Sequence, residues 1–280
     1  MLPFEIYDVF SDRAYAGNQL AVVYGGRNLT TGQMQAIAKE FGFSETSFVL
    51  PATVPGADYR ARIFTPAEEL PFAGHPTIGT ALAVVAAGTV QLEGDTIVQE
   101  CGAGLMDVVL DGRGEALLVS RVIEPGAPID PALAAAATGL GADRIIGVPQ
   151  AASAGLSHNF VRVDDAAVAE AVDVPGHLPK VYVFSFDPET NRVHARLFHV
   201  GVGEDPATGS AAVALGVYLV EQGLIGSDGL HEFTIAQGGE IGRPSKLVGQ
   251  VAIAQGRIVH VGVTGTAVKV AEGTLVTLPE

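Results

Sequence analysis

Two stretches of the chain repeat one another, and this repetition constrains the fold more than any other feature. Ala61-Arg62-Ile63-Phe64 is followed by His75-Pro76-Thr77-Ile78-Gly79-Thr80-Ala81, and Ala195-Arg196-Leu197-Phe198 by Asp205-Pro206-Ala207-Thr208-Gly209-Ser210-Ala211. The two motifs recur in the same order at offsets of 134 and 130 residues, as expected of one structural unit used twice. In each copy a strand-like segment leads through a loop into x-Pro-x-x-Gly-[Ser/Thr]-Ala, the opening of a helix. Those helices continue as Ala81 to Ala87 and Ala211 to Val220 almost without charge, and a helix apolar on every side is a buried one.

Around them the chain is cut into short apolar or alternating runs bounded by Gly, Pro, Asp and Asn. Leu20 to Val23, Gly104 to Leu110, Leu117 to Ile123, Val181 to Phe186, Val193 to Val200, Arg257 to Val263 and Thr266 to Leu278 read as β-strands. A helix is expected over Thr30 to Phe41, where Thr30 and Gln33 have capping-box spacing, Met34, Ile37, Ala38 and Phe41 share a face, and Gly42 stops it. A second begins at Asp130, with Pro131 in its first turn and Gly139 at its end. Strands and helices do not alternate regularly, which argues for α+β rather than a doubly wound sheet. The expected picture is two similar half-barrels, each wrapped on its own helix. The first comprises residues 1–123 plus 266–280, the last strand returning to it, and the second residues 124–265, with Glu124 to Asp130 as a linker.

Composition narrows the function classes. The net charge of −15 over 280 residues leaves no basic footprint for nucleic acid. The single cysteine, Cys101, excludes an intramolecular disulfide framework and a multi-cysteine metal site, and a reducing compartment, the cytoplasm, fits best. The N-terminal MLPFEIYDVF carries Glu5 and Asp8 without a basic region, so it does not read as a signal peptide. Leu70 to Leu92 lacks charge but is broken by Pro71, Gly74, Pro76 and Gly79; it reads as a turn and a buried helix, not a membrane span.

The starts of the two apolar helices are the chemically suggestive places. First-turn amides lack intrahelical partners and the helix dipole puts partial positive charge there, while Gly74, Gly79, Gly203 and Gly209, with Thr80 and Ser210, would let a carboxylate approach. Pro76 and Asp205 also serve simply to start two helices, Asp205 as an N-cap. His75 and Asp205 occupy matching places in the repeat, so a pseudo-two-fold axis would bring them to one cleft. Glu45, at the head of Phe48-Val49-Leu50, would be partly desolvated and able to take up and return a proton; a Glu there is also an ordinary surface or capping residue. His194 and His199 do not make a metal site, because an odd separation in a strand points them to opposite faces. Gly201 and Gly203 are no dinucleotide fingerprint, since Pro206 stands in place of the third glycine. Cys101, at a strand start, reads as a small buried residue.

With these residues in view the chain resembles the PhzF-like phenazine-biosynthesis proteins of the diaminopimelate epimerase-like superfamily. The resemblance is carried by Asp8-Val9-Phe10, Gly17-Asn18-Gln19-Leu20-Ala21-Val22-Val23, Phe43-Ser44-Glu45-Thr46-Ser47-Phe48, Arg62 to Thr77, Gly203 to Ser210, and Gln237-Gly238-Gly239-Glu240-Ile241-Gly242-Arg243-Pro244-Ser245. It implies two barrel-like domains, each around a central helix, with the active site in the cleft between them. It also implies a cofactor-free and metal-free isomerase, in which Glu45 moves a proton within a small unsaturated amino or hydroxy acid. His75 and Asp205 would hold and polarise that substrate, and Gly74, Gly209, Ser210 and Asn18 would bind it. A cytoplasmic homodimer is a further expectation. Epimerase relatives use a cysteine pair, which one cysteine does not supply. Racemisation or epimerisation by another base pair, and a non-catalytic binding role on the same fold, are the alternatives.

Overall fold

The computed structural model describes residues 1–199 and 203–280, and the chain divides into two units, Met1–Leu118 with Gly265–Glu280, and Val119–Thr264. In the first unit β1 (Leu2–Val9), β2 (Asn18–Tyr24), α1 (Thr31–Phe41), β3 (Glu45–Leu50), β4 (Tyr59–Phe64), β5 (Glu69–Leu70), α2 (Gly74–Ala86), β6 (Thr96–Cys101), β7 (Gly104–Leu110) and β8 (Glu115–Ser120) follow in order. Neighbours along the chain pair antiparallel, except that β2 runs parallel to β3 and β4 parallel to β6. Parallel neighbours require a crossover. Helix α1 makes the first, and β5 with α2 makes the second.

The second unit follows the same plan through β9 (Glu124–Pro128), α3 (Pro131–Thr138), β10 (Gln150–Ser153), β11 (Ser157–Arg162), α4 (Asp165–Glu170), β12 (Val181–Asp187), β13 (Arg192–His199), β14 (Gly203–Asp205), α5 (Gly209–Glu221), β15 (Gly229–Gln237), β16 (Ser245–Ala254) and β17 (Arg257–Leu275). Here β11 is parallel to β12, crossed by α4, and β13 is parallel to β15, crossed by β14 and α5. The fold is α+β with barrel-like sheets and few helices, and in each unit an apolar helix packs on the strands. Helix α2 lies against β1, β2, β3, β4, β6 and β7, and α5 against β9, β10, β11 and β16. On other strand faces, α1 packs Met34, Ile37 and Ala38 with Val23, Phe48 and Phe64, and α3 and α4 pack Ala134, Ala137, Ala167 and Val168 with Val161, Val181 and Val183.

Several local expectations hold. Thr30 and Gln33 form both halves of the capping box, and Gly42 ends α1 with a left-handed backbone. Asp130 caps α3 ahead of Pro131, and Gly139 closes it. Others are corrected. The expected linker contains β9, which pairs with β10, so Pro125 and Pro128 sit in a strand rather than a flexible joint. The two expected C-terminal strands are one, β17; its first part pairs with β16 and its later part with β1, from Ala267 opposite Val9 to Leu275 opposite Leu2. Cys101 ends β6 rather than beginning a strand. Val200 and Gly201 lie outside the described residues. No helix among the described residues is long and apolar enough to cross a membrane.

The repeated Ala-Arg-x-Phe segments explain how the hairpin before each apolar helix is held. Arg62 donates through Nε and Nη2 to both Glu69 carboxylate oxygens, at 2.7 and 2.6 Å, and lies 5.2 Å from the centre of the Phe64 ring. Arg196 makes the same fork with Glu204, at 2.9 and 2.6 Å, and lies 4.9 Å from the Phe198 ring. A planar guanidinium satisfies both demands at once. Arg196 also donates to the carbonyls of Val168, Ala169 and Ala171 at the end of α4. The side chains of the second pair are each 11% exposed, against 16% and 36% for Arg62 and Glu69. Removing one partner of a buried pair strands the other charge, whereas an exposed pair contributes little. Arg196→Met is therefore expected to cost about 3 kcal/mol in urea unfolding and Arg62→Met about 1 kcal/mol.

Gly79 shows how tightly α2 is seated. A Cβ there would stand 2.6 Å from both Leu20 Cδ2 and Val9 Cγ2, atoms of fully buried residues that have nowhere to move. Alanine would gain about 1 kcal/mol of helix propensity but lose about 1–3 kcal/mol to overpacking. Gly79→Ala is expected to lower the unfolding free energy by up to about 2 kcal/mol, whereas Gly32→Ala at an exposed position of α1, where a Cβ would meet only Thr30 Oγ1 at 4.0 Å, should not lower it.

Candidate active site

In the first unit the starts of β2, β3 and α2 converge. Leu20 and Glu45 are partners in the parallel register of β2 and β3, and Asn18, at the start of β2 and 1% exposed, accepts a 3.3 Å hydrogen bond from the Ser44 hydroxyl. Glu45 thus heads β3 next to the strand that carries Asn18. Its side chain is 17% exposed, and Oε2 lies 3.5 Å from His75 Nδ1. His75, 5% exposed, is the second residue of α2, and its ring is hydrogen-bonded to the Gln19 backbone. Burial pushes the imidazole down to about 3, against the smaller opposing effect of that hydrogen bond. His75 is therefore neutral near pH 7, and its contact with Glu45 is a meeting of a carboxyl group with a neutral ring rather than an ion pair. His75 Nε2 is buried without a hydrogen-bond partner among the described residues.

In the second unit Asp205 is not a helix cap. It ends β14, next to Glu204 of the Arg196 fork, and the helix begins four residues later at Gly209 with Thr208 as its N-cap residue. The intervening turn is held by side chains. Thr208 Oγ1 donates to Asp205 Oδ2 at 2.5 Å, and Gln237 Nε2 donates to the Asp205 carbonyl at 2.8 Å and to Thr208 Oγ1 at 3.0 Å. Tyr182 donates to Gln237 Oε1 at 3.4 Å. Gly238 follows with φ of +77°, and a Cβ there would meet the Arg243 and Pro206 carbonyl oxygens at 2.4 and 2.5 Å. The Gln237-Gly238 pair is thus the backing of the Asp205 turn, a role the sequence did not disclose because the partners are 32 residues apart.

Ser210, second in α5, has a neighbour that sequence reasoning missed. His158 Nε2 is 3.0 Å from Ser210 Oγ. The histidine is 3% exposed, and burial, with smaller contributions from Lys180 and His199, pushes it down to about 3. Strand alternation was the available signal, since His158 shares the inward face of β11 with buried Phe160.

The helix starts themselves differ from the others. Thr30, Asp130 and Asp164 cap α1, α3 and α4 with side-chain oxygens, whereas α2 and α5 have no side-chain cap. No side-chain oxygen caps their first turns, which include Gly74 and Gly209, and uncapped helix starts favour negative charge. Among the described residues no cluster of metal-ligating side chains is present; His194 contacts Asp165 and Glu240 at 3.0 and 2.7 Å. Cys101 is buried, and burial raises its thiol pKa, which disfavours a thiolate nucleophile. A cavity of about 890 Å³ in the first unit, bordered by Tyr24, Leu50, Asp58, Ala87 and Glu272, lies at the opposite end of α2 and holds none of these groups.

The two buried histidines make stability depend on pH. Each has a folded-state value near 3, below the ordinary 6.5. Between those values the unfolded chain binds protons that the folded one does not, so stability falls as the pH is lowered through that interval. The expected slope is up to about 1.4 kcal/mol per pH unit for each histidine, with none from them above about pH 7. Urea unfolding from pH 4.5 to 7.5 would show it, and His75→Gln should remove one histidine's share. An unchanged slope in that variant would mean that folded His75 is charged.

Residues 7–273 match the PhzC-PhzF family, described as phenazine biosynthesis-like protein. The Schizosaccharomyces pombe protein named antisense-enhancing sequence 1 is 35% identical, over 94% of this chain and 95% of its own. Trans-2,3-dihydro-3-hydroxyanthranilate isomerase of Pseudomonas aeruginosa is 33% identical, over 96% of this chain and 98% of its own. The crystal structure of a Bacillus anthracis phenazine biosynthesis protein of the PhzF family superposes with a TM-score of 0.86 at 26% identity, covering 99% of both chains. A family match spanning nearly the whole sequence, together with relatives above 30% identity along their full length, shows that the chain belongs to the PhzF-type phenazine biosynthesis-like family.

Proposed function

We propose that this isomerase moves a proton within a small unsaturated amino or hydroxy carboxylic acid, with Glu45 as the group that removes and returns it. The observation that carries the reading is the pairing of a largely buried Glu45 carboxyl with a neutral His75 at the uncapped start of α2. A carboxylate base takes a proton from a carbon next to a double bond, the electron pair spreads into the conjugated system, and the same proton returns at another carbon. Atoms and electrons balance without an oxidant. One carboxylate is too weak a base unless the developing negative charge meets oriented donors, and two kinds stand ready. Neutral His75 holds the substrate beside Glu45, where the backbone amides at the uncapped start of α2 stand in the same unit, and the α5 amides with the Ser210 hydroxyl offer a carboxylate site in the second unit. Asn18 and Asp205 are assigned to holding its polar substituents. The trans-2,3-dihydro-3-hydroxyanthranilate isomerase relative acts on a compound of this chemical class, which supports the substrate assignment.

Deuterium incorporation tests the reading. Wild type and Glu45→Gln are incubated in heavy water with trans-2,3-dihydro-3-hydroxyanthranilate and a panel of β,γ-unsaturated amino and hydroxy acids, and products are followed by mass and proton spectra. Wild type is expected to exchange or isomerise one of them, with Glu45→Gln slower by about 10²-fold or more, the usual weight of a positioned acid/base group. Full turnover by Glu45→Gln would remove Glu45 from the mechanism.

A further inference from the structure

His158 and Ser210 of the second unit sit in a relation that the proton-transfer scheme does not use. His158 Nε2 and Ser210 Oγ are 3.0 Å apart, while His158 Nδ1 is buried with no hydrogen-bond partner among the described residues. The ring is wedged beside Phe160, which packs against Tyr182, Phe184 and, from α5 itself, Tyr218, so it is not free to swing away. Ser210 is only partly buried, and it stands in the first turn of α5, where no side chain caps the amides.

We propose that His158 is a positioning residue for substrate binding: its Nε2–H donates to Ser210 Oγ and leaves the single hydroxyl proton of Ser210 directed outward, at the substrate carboxylate. The inference rests on the assignment of Ser210 to carboxylate binding. Two arrangements of the pair are open in principle. If Ser210 donated to Nε2, the proton of the neutral ring would sit on Nδ1, a buried N–H with no acceptor. Orphaned buried N–H groups are the rarer defect, and an unused lone pair is the milder one. The Nε2–H form therefore wins, and it makes Ser210 an acceptor toward the protein and a donor toward the ligand. A neutral ring is a condition of this choice, and burial beside Lys180 supplies it. The same device recurs at metal sites, where a hydrogen bond behind a ligating histidine selects its tautomer.

Two measurements test this. Two-bond proton–nitrogen correlation spectra of wild type labelled with ¹⁵N-histidine read the tautomer directly and need neither ligand nor turnover. The expected result is a protonated Nε2 and a lone-pair Nδ1 for His158; the reverse would overturn the proposal. Anthranilate, a flat amino carboxylate that does not turn over, is then titrated by calorimetry into wild type and folded variants. Ser210→Ala and His158→Met are each expected to weaken binding about 5- to 10-fold, and the double variant no further, because both remove one donor unit. His158→Gln, which keeps an N–H in nearly the same place, should bind within about 3-fold of wild type. Multiplying losses in the double variant, or a Gln variant as weak as Met, would overturn the proposal. Neither readout involves Glu45, so failure of proton transfer there and failure of this inference are distinguishable.

Discussion

The interaction on which the rest depends is the burial of an uncharged helix among the strands of its own unit. From Gly74 to Ala86 and from Gly209 to Val220 no residue carries a formal charge, and nearly every residue of both helices is buried. Strands can approach such a helix only where its side chains are small, as Gly79 shows against Leu20 and Val9. The cost falls at the helix start. First-turn amides taken from water need partners, and α1, α3 and α4 find them in their own Thr or Asp caps, whereas α2 and α5 do not. A fold that hides its helices in this way leaves a donor-rich helix start in each unit, and it is to these that the proposed function assigns an anionic group.

Burial also decides the electrostatics near those ends. A chain of net charge −15 would be expected to favour protonated histidines, yet His75 and His158 are both driven the other way. Desolvation acts at the ring itself, whereas the excess carboxylates are mostly at the surface and screened by water and salt. The outcome suits the proposed proton-transfer chemistry: a neutral imidazole beside Glu45 does not fix the carboxylate in a tight ion pair.

The two copies of the repeat share a scaffold and differ in chemistry. Both use an arginine clamped between a carboxylate and a phenylalanine ring to hold the hairpin ahead of the central helix. In the first, the helix begins one residue before His75, so the histidine lies inside the first turn. In the second, Thr208 and Gln237 hold the chain as a turn after Asp205, and the helix begins four residues later. The repeated frame is common to both copies, and the local hydrogen bonds of each decide which side chain stands at the helix end.

What the sequence determined by itself was local or periodic. The capping box at Thr30 and Gln33, Pro131 after Asp130, the left-handed glycines at Gly42 and Gly139, and the uncharged runs of α2 and α5 follow from interactions within a few residues, and so they were legible without coordinates. The repeat told that one unit was used twice, and the motif residues told the family. Tertiary structure alone decided matters that depend on partners distant in sequence. Among these are β9 as a paired strand rather than a linker, β17 as a single strand, Asp205 held by Gln237 rather than capping a helix, and His158 set against Ser210. The physical reason is common to all of them: a hydrogen bond between residues 30 or 50 positions apart leaves no period and no cap signal in the chain, and only the packing that brings the two ends together gives either residue its role.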